Sequence, residues 1–240
     1  MSTVNPKSAL YAQFAIVAKA LAHEHRLELI ELVAQGERSV DALADACGLS
    51  IANTSQHLQH MRKAGLMTAR RDGKFVLYSL ADTSVLAACA ALRHVAEQNL
   101  AEVDRIVRSY FLTRDALEAV SRPELSRRIK KGLVTVLDVR PEDEFCQGHL
   151  PGAVNVPLGK LKRWLGRLDQ RTEIVAYCRG PYCILSFEAV AQLRASGFSA
   201  RRLEDGYPEW KADGLPVEAS SQRSLSDSRA VRNSAGAGRA

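Results

Sequence analysis

The 240-residue chain predicts two domains of different class, a mainly helical N-terminal one that ends in a β-hairpin and an α/β C-terminal one built on a parallel sheet. Three observations carry this. Up to Leu112, apolar residues recur at helical spacing, interrupted by a single pair of short strand-like runs. Beyond that point, β-branched runs alternate with helical patterns, as in a parallel sheet covered by helices. The pattern changes near Thr113–Asp115, which sets domains at 1–113 and 114–219. Residues 220–240 have few large apolar groups and predict a disordered tail.

Element by element, Leu10, Phe14, Val17 and Leu21 mark one helical run and Leu27, Ile30 and Val33 a second, which Gly36 stops. Ser39–Gly48 reads as a short helix. Ser50 is placed to cap the next helix, Ile51–Ala64, and Gly65 to end it. Met67–Arg71 and Lys74–Leu80 flank Asp72-Gly73, a strong hairpin signal. Asp82–Leu112 reads as one long helix with an apolar stripe through Val85, Leu92, Val95, Leu100, Val103 and Ile106. In the second half, Leu133–Val139, Glu173–Cys178 and Ser199–Leu203 read as strands, and Ile184–Ala195 as a helix that Gly197 ends.

Composition narrows the function classes. No apolar run approaches the ~20 residues of a membrane span, and Met1–Gln13 lacks the pattern of an export signal. Five irregularly spaced cysteines do not form a disulfide scaffold, so a reducing cytoplasm is expected. The net charge is only +6, but it is unevenly placed. Residues 50–78 hold Arg62, Lys63, Arg70, Arg71 and Lys74 against the single acid Asp72. A local basic surface on a near-neutral domain suits groove binding.

Two helices joined by a short turn, the second followed by a hairpin, make a winged helix-turn-helix. Its second helix can enter a major groove, where Asn53, Thr54, Ser55, Gln56, His57 and Gln59 would meet base edges and phosphates. Arg62 and the wing residues Arg70, Arg71 and Lys74 would reach the backbone. The remaining histidines read as surface or capping groups.

The run SxxNTSQHLQHMRKAGLM, followed by RRDGKFVLYSL, resembles the ArsR/SmtB family of small repressors over about residues 8–110. The resemblance implies a homodimer built on the first and last helices and bound to an inverted-repeat operator in double-stranded DNA. The family's thiolate position corresponds to Ser39. Its last-helix metal motif falls on Asp82, Ser84, Val95 and Gln98, with His94 and Glu97 one register off, so no metal is expected.

The strongest motif is Cys178-Arg179-Gly180-Pro181-Tyr182-Cys183, between a predicted buried strand and a predicted helix. Such a turn gathers backbone N–H groups and a helix N-terminus around one point. A cysteine at its base is expected to be partly thiolate and to tolerate a persulfide anion. Gly180 is expected in a conformation closed to other residues and Pro181 to fix the turn, while Arg179 and Tyr182 would face outward to meet an anionic donor.

The motif, with Leu137-Asp-Val-Arg140, Glu144-Phe145-x-x-Gly148-His149-Leu150-Pro151-Gly152-Ala153 and Asp205-Gly206-Tyr207-Pro208-x-Trp210, resembles the rhodanese family over about residues 116–218. The resemblance implies that Cys178 is the sulfur-accepting nucleophile and Arg179–Cys183 the anion-binding loop. Asp138, Arg140, Glu144 and His149 map to recurrent positions and are read as loop-supporting. Related phosphatase cradles are usually one residue longer and end in Arg, where this chain has Cys183.

Together the halves predict a regulator, read as a repressor, that answers thiosulfate or a low-molecular-weight persulfide through a covalent persulfide on Cys178. No cofactor is called for. Cys183 could resolve the persulfide, and Cys47 with Cys89 forms a second possible sensing pair whose bland alternative is ordinary packing. The competing reading is a working thiosulfate sulfurtransferase that autoregulates its own operon.

Overall fold

The computed structural model describes residues 5–112 and 119–219. The expected change of domain at Thr113–Asp115 and the tail 220–240 lie outside them. In the N-terminal half, α1 (Pro6–Leu21) and α2 (Glu24–Ala34) lead to β1 (Arg38–Ser39), α3 (Val40–Cys47) and α4 (Ile51–Lys63). The wing strands β2 (Met67–Asp72) and β3 (Phe75–Leu80) and the helices α5 (Ser84–Asn99) and α6 (Ala101–Ile106) follow, with a π-helical turn over Val107–Leu112.

The predicted caps form. Ser39 Oγ accepts from the Ala42 amide and Ser50 Oγ from the Asn53 amide, each at 3.2 Å. These bonds satisfy donors that a helix start otherwise leaves open. Leu29 and Ile30 of α2, Leu43 of α3, Leu58 and Met61 of α4, and Met67 and Tyr78 of the wing close one apolar core.

Two expectations need correction. Asp72 pairs with Phe75, so the hairpin turns on Gly73-Lys74 rather than Asp72-Gly73. Gly73 is left-handed at φ 58°, and among the described residues no non-glycine residue has positive φ. This fits the glycine-first turn that hairpins favour beside Asn-Gly and Asp-Gly turns. The long helix is also not continuous. Leu100 is extended at φ −109° and ψ 106°, separating α5 from α6. The preceding Asn99 donates its side-chain amide to the Val95 carbonyl at 2.8 Å, a local bond that competes with helix continuation.

The C-terminal half contains α7 (Arg122–Lys130), β4 (Val134–Asp138), α8 (Glu142–Gln147), β5 (Val154–Asn155) and α9 (Leu161–Trp164). It continues with β6 (Glu173–Tyr177), α10 (Ile184–Ala195), β7 (Ala200–Arg202) and α11 (Tyr207–Ala212). The sheet is parallel in the order β5-β4-β6-β7. Strand alternation splits its apolar residues between two faces. Ile174 and Ala176 pack with Ala189, Val190 and Leu193 of α10, while Val175 and Tyr177 pack with Leu125 of α7 and Trp210 of α11. Both faces are therefore dry, which is why these strands read as continuous apolar runs. The strands expected at Leu133–Val139 and Ser199–Leu203 are one residue shorter at each end, and that at Glu173–Cys178 one residue shorter at its C-terminal end, where Cys178 already belongs to the turn that carries the site.

At the end of β4, Asp138 and Arg140 form a fully buried ion pair, with Arg140 Nη2 2.6 Å from Asp138 Oδ2. Asp138→Asn would leave the guanidinium without its counter-charge. The expected cost is about 3–5 kcal/mol, read as a lower urea midpoint for unfolding of the full chain.

Candidate functional site

The parallel sheet has a switch point between β4 and β6. From β4 the chain crosses to β5 on one side, and from β6 it crosses to β7 on the other. Ligands in open α/β sheets bind where the strand ends diverge in this way. Cys178 follows β6 directly, and Cys183 is the N-cap of α10. The loop between them is tied at both ends. The Cys183 amide donates to the Gly180 carbonyl at 3.2 Å, and the Tyr207 amide to the Cys178 carbonyl at 3.0 Å. The two sulfur atoms are in bonding contact, with Cα atoms 6.1 Å apart. Cys178 is only 1% exposed.

Three expectations about this loop are corrected. Gly180 has no left-handed backbone, and a side chain there would point into open space. The glycine that the loop requires is Gly206, in the turn before α11, where a methyl group would collide with the Arg179 carbonyl and the Gly180 nitrogen. Arg179 does not stand free for an anion. Its Nε and Nη2 bond both oxygens of Glu144 at 2.7–3.1 Å. Burial works against its charge, but the Glu144 bonds prevail and hold the guanidinium more firmly protonated than usual. Tyr182 also turns inward, donating to Glu97 of α5 at 2.7 Å, with burial and that bond pushing the phenol up to about 12.

Beneath the loop, Asp138, Arg140, Glu144 and His149 act as the loop-supporting groups they resembled. Arg140 donates to Asp138, to the Gly148 carbonyl at 2.7 Å and to Gln35 Oε1 at 3.0 Å. His149 Nδ1 lies 2.9 Å from the Phe145 carbonyl. Residues that sequence reasoning missed come from the other domain. Gln35 Nε2 donates to the Arg179 carbonyl at 3.3 Å, and Arg38 Nη2 lies 2.9 Å from Asp143 and 3.0 Å from Glu144. No sequence signal marks them, since their partners are more than a hundred positions away. Between the domains, Ile30 and Glu31 of α2, Cys89 and Arg93 of α5 and the Arg179–Tyr182 loop line a cavity of about 360 Å³.

On the DNA-facing side, Asn53, Gln56, Gln59, Arg62, Arg71 and Lys74 are exposed as expected. Ser55 is half-buried and accepts from Gln59 at 3.1 Å. Thr54 is a correction: it is fully buried, facing the core rather than a groove. His57 is half-buried beside the rings of His23 and His25, with centroids 4.6 and 6.0 Å away, and burial lowers its pKa. Arg70 is exposed but gripped by both oxygens of Glu37 at 2.9 and 3.0 Å. Cys47 and Cys89 both pack against the N-terminal core. Burial pushes the Cys47 thiol up to about 11 and the Cys89 thiol up as well, so neither is a primed thiolate.

Comparison with known proteins agrees with both halves. The rhodanese-like domain family matches residues 121–213 and a helix-turn-helix domain family matches residues 21–70. The HTH-type transcriptional regulator Rv0324 of Mycobacterium tuberculosis is 42% identical over 212 residues, covering 88% of this chain and 93% of that protein. Among solved structures, the homodimeric winged helix-turn-helix DNA-binding domain of Mb0332 from Mycobacterium bovis is 39% identical, covering 42% of this chain and 93% of that one, with a TM-score of 0.38. A rhodanese-related protein from Thermoplasma volcanium is 26% identical, covering 42% of this chain and 98% of that one, with a TM-score of 0.39. Among the described residues no helix is long and apolar enough to cross a membrane. With the two domain matches, the wing and the parallel sheet in place, the chain belongs to the transcriptional regulators that join an ArsR-type winged helix-turn-helix to a rhodanese-like domain.

Proposed function

We propose that this regulator detects sulfane sulfur at Cys178 and changes its grip on DNA in response. The observation that carries the reading is the pair Cys178–Cys183, in sulfur–sulfur contact in a loop at the switch point of the parallel sheet. The Cys178 thiolate attacks the outer sulfur of thiosulfate, forming a Cys178 persulfide and releasing sulfite. With a low-molecular-weight persulfide the leaving group is its thiolate. Cys183 thiolate then attacks the Cys178 sulfur and expels hydrosulfide, leaving the two residues as a disulfide. The two cysteines are oxidised and the sulfane sulfur is reduced, so no outside oxidant is needed.

Stoichiometric detection is favoured over steady turnover by two features of the loop. Cys178 is almost fully covered, and the guanidinium that would collect successive anionic donors is already bound to Glu144. A sulfur loop held against the DNA-binding half serves a switch better than an open, fast-exchanging active site.

On DNA, the exposed face of α4 would enter a major groove while Arg71 and Lys74 reach flanking phosphates. Dimerisation is supported by apolar surface that the single chain leaves uncovered. Leu10, Tyr11 and Phe14 of α1 are 57–61% exposed, and Val95 of α5 is 59% exposed. Exposed apolar groups gathered on α1 and α5 suit a symmetric partner.

Three outcomes are expected. Reduced protein given thiosulfate or glutathione persulfide should gain sulfur by intact-mass measurement; Cys178→Ser should gain none at this loop, and Cys183→Ser should keep the persulfide instead of releasing sulfide. Thiosulfate-to-cyanide transfer at ordinary enzyme rates would instead support the sulfurtransferase reading. Cys47, with its thiol titrating about 11, should resist iodoacetamide at neutral pH and react progressively as pH rises toward that value. In salt titrations on the chain's own upstream DNA, Lys74→Ala should lower the salt slope by about one, whereas Gln56→Ala should cost about 1–3 kcal/mol and relax sequence preference.

A further inference from the structure

We propose that Gln35 and Arg38, in the DNA-binding half, are positioning residues for the sulfur loop of the rhodanese half. The proposal rests on the reading of Cys178 as the site of sulfur chemistry, and it concerns how the two halves are connected. Gln35 is the C-cap of α2 and only 1% exposed. Its amide bridges the two halves in both directions, donating to the carbonyl of Arg179, next to Cys178, and accepting from Arg140 beneath the loop. It also donates to the Glu31 carbonyl at 2.9 Å, which fixes the side chain to its own helix.

Arg38 acts through charge. Glu144 is fully buried, and its carboxylate holds Arg179 in place. Arg38 lies against the same carboxylate, so Glu144 sits between two guanidinium groups, one from each domain. Arg38 approaches at ion-pair distance without hydrogen-bond alignment on Nη2. Its contribution is therefore mainly its positive charge. Without that charge, the buried Glu144 carboxylate keeps only Arg179, the residue after Cys178, with Asp143 beside it, and a sulfur anion becomes less favourable there.

The other charged groups around the loop are set by the fold. Asp138 and Arg140 lie at the end of β4, Glu31 on α2, Arg93 and Glu97 on α5, and Glu209 on α11. Of these, Asp138 and Arg140 neutralise each other, and Arg93 faces Glu97 and Glu209 at 3.7 and 4.0 Å. Arg38 is the cation that the DNA-binding half adds to Glu144.

The position of Arg38 in the chain gives this contact a second consequence. Arg38 lies in β1, paired with Tyr78 of the wing, and its neighbour Glu37 grips Arg70 on the wing's other strand. Ser39, the next residue, caps α3. The element that positions the sulfur loop is thus the element that braces the wing. By linkage, a change at either end bears on the other.

The test follows Cys178 in the reduced, full-length chain by mass spectrometry, reading iodoacetamide labelling from pH 6 to 10 and the rate of sulfur uptake from thiosulfate and glutathione persulfide. Arg38→Ala is expected to raise the pH midpoint of Cys178 labelling by about one unit and slow uptake about tenfold. Arg38→Lys, which keeps the charge, should restore most of the midpoint. Gln35→Ala, which removes no charge, should slow uptake severalfold with little change in midpoint. Circular dichroism reports whether each variant is folded, and if Arg38→Ala is not, Arg38→Lys and Gln35→Ala carry the comparison. Folded variants with wild-type midpoint and rate would overturn the proposal. If Arg38→Ala moves the labelling midpoint while the wild-type chain accepts sulfur from neither donor, the positioning role stands and the sulfur reading of Cys178 falls.

Discussion

The guanidinium of Arg140 sits where the molecule has least freedom, with no exposed surface and with partners on every side. It bonds Asp138 at the end of β4, the Gly148 carbonyl after α8 and Gln35 from the other domain, and it lies over the ring of Tyr207 at 4.4 Å. A buried cation is tolerated only when its charge and its donors are all answered. Satisfying this one group fixes the end of β4, the loop after α8 and the start of α11. Those are the walls around Cys178. Two of its partners, Gln35 and Tyr207, also bond the Cys178–Cys183 loop, at the Arg179 and Cys178 carbonyls.

The outer side of the Cys178–Cys183 loop is closed by its own side chains. A loop built to process many anions in turn would present its arginine to solvent. Here Arg179 is folded back on Glu144, and Tyr182 is folded back on Glu97. The inward turn costs access, but it joins the loop to both α8 and α5. Rings add to the join, with Phe111 lying 5.1 Å from Tyr182 and 4.9 Å from Phe187 of α10. Under the proposed sensing role, a change at Cys178 would be felt by packed neighbours instead of by water.

The contrast among the cysteines follows from the same local physics. Cys47 and Cys89 are small apolar fillers against the N-terminal core, where burial disfavours a thiolate. Cys178 is more buried than either, yet it lies before the N-terminus of a twelve-residue helix and beside a second cysteine sulfur. Depth alone therefore does not distinguish these cysteines; their surroundings do.

Local rules were sufficient for much of the chain. Ser39 and Ser50 announced helix starts, Ile184–Ala195 was readable to the residue, and the motif from Cys178 to Cys183 announced a strand-loop-helix turn, because each depends on neighbours a few positions away. Thr54 was misread because its polar hydroxyl gave no hint that its helical position faces the core, and the long helix was misread because a single extended residue, Leu100, leaves the apolar stripe intact. Gln35 and Arg38 were invisible for a different reason. They matter through Arg140, Glu144 and Arg179, and no spacing within the sequence records a contact made across more than a hundred residues. The sequence by itself determined the two domains and the loop that places Cys178 and Cys183 between a strand and a helix. Only the tertiary structure decided which way the sulfur loop faces and what holds it, since those depend on buried charges that must be neutralised by whatever the fold brings near.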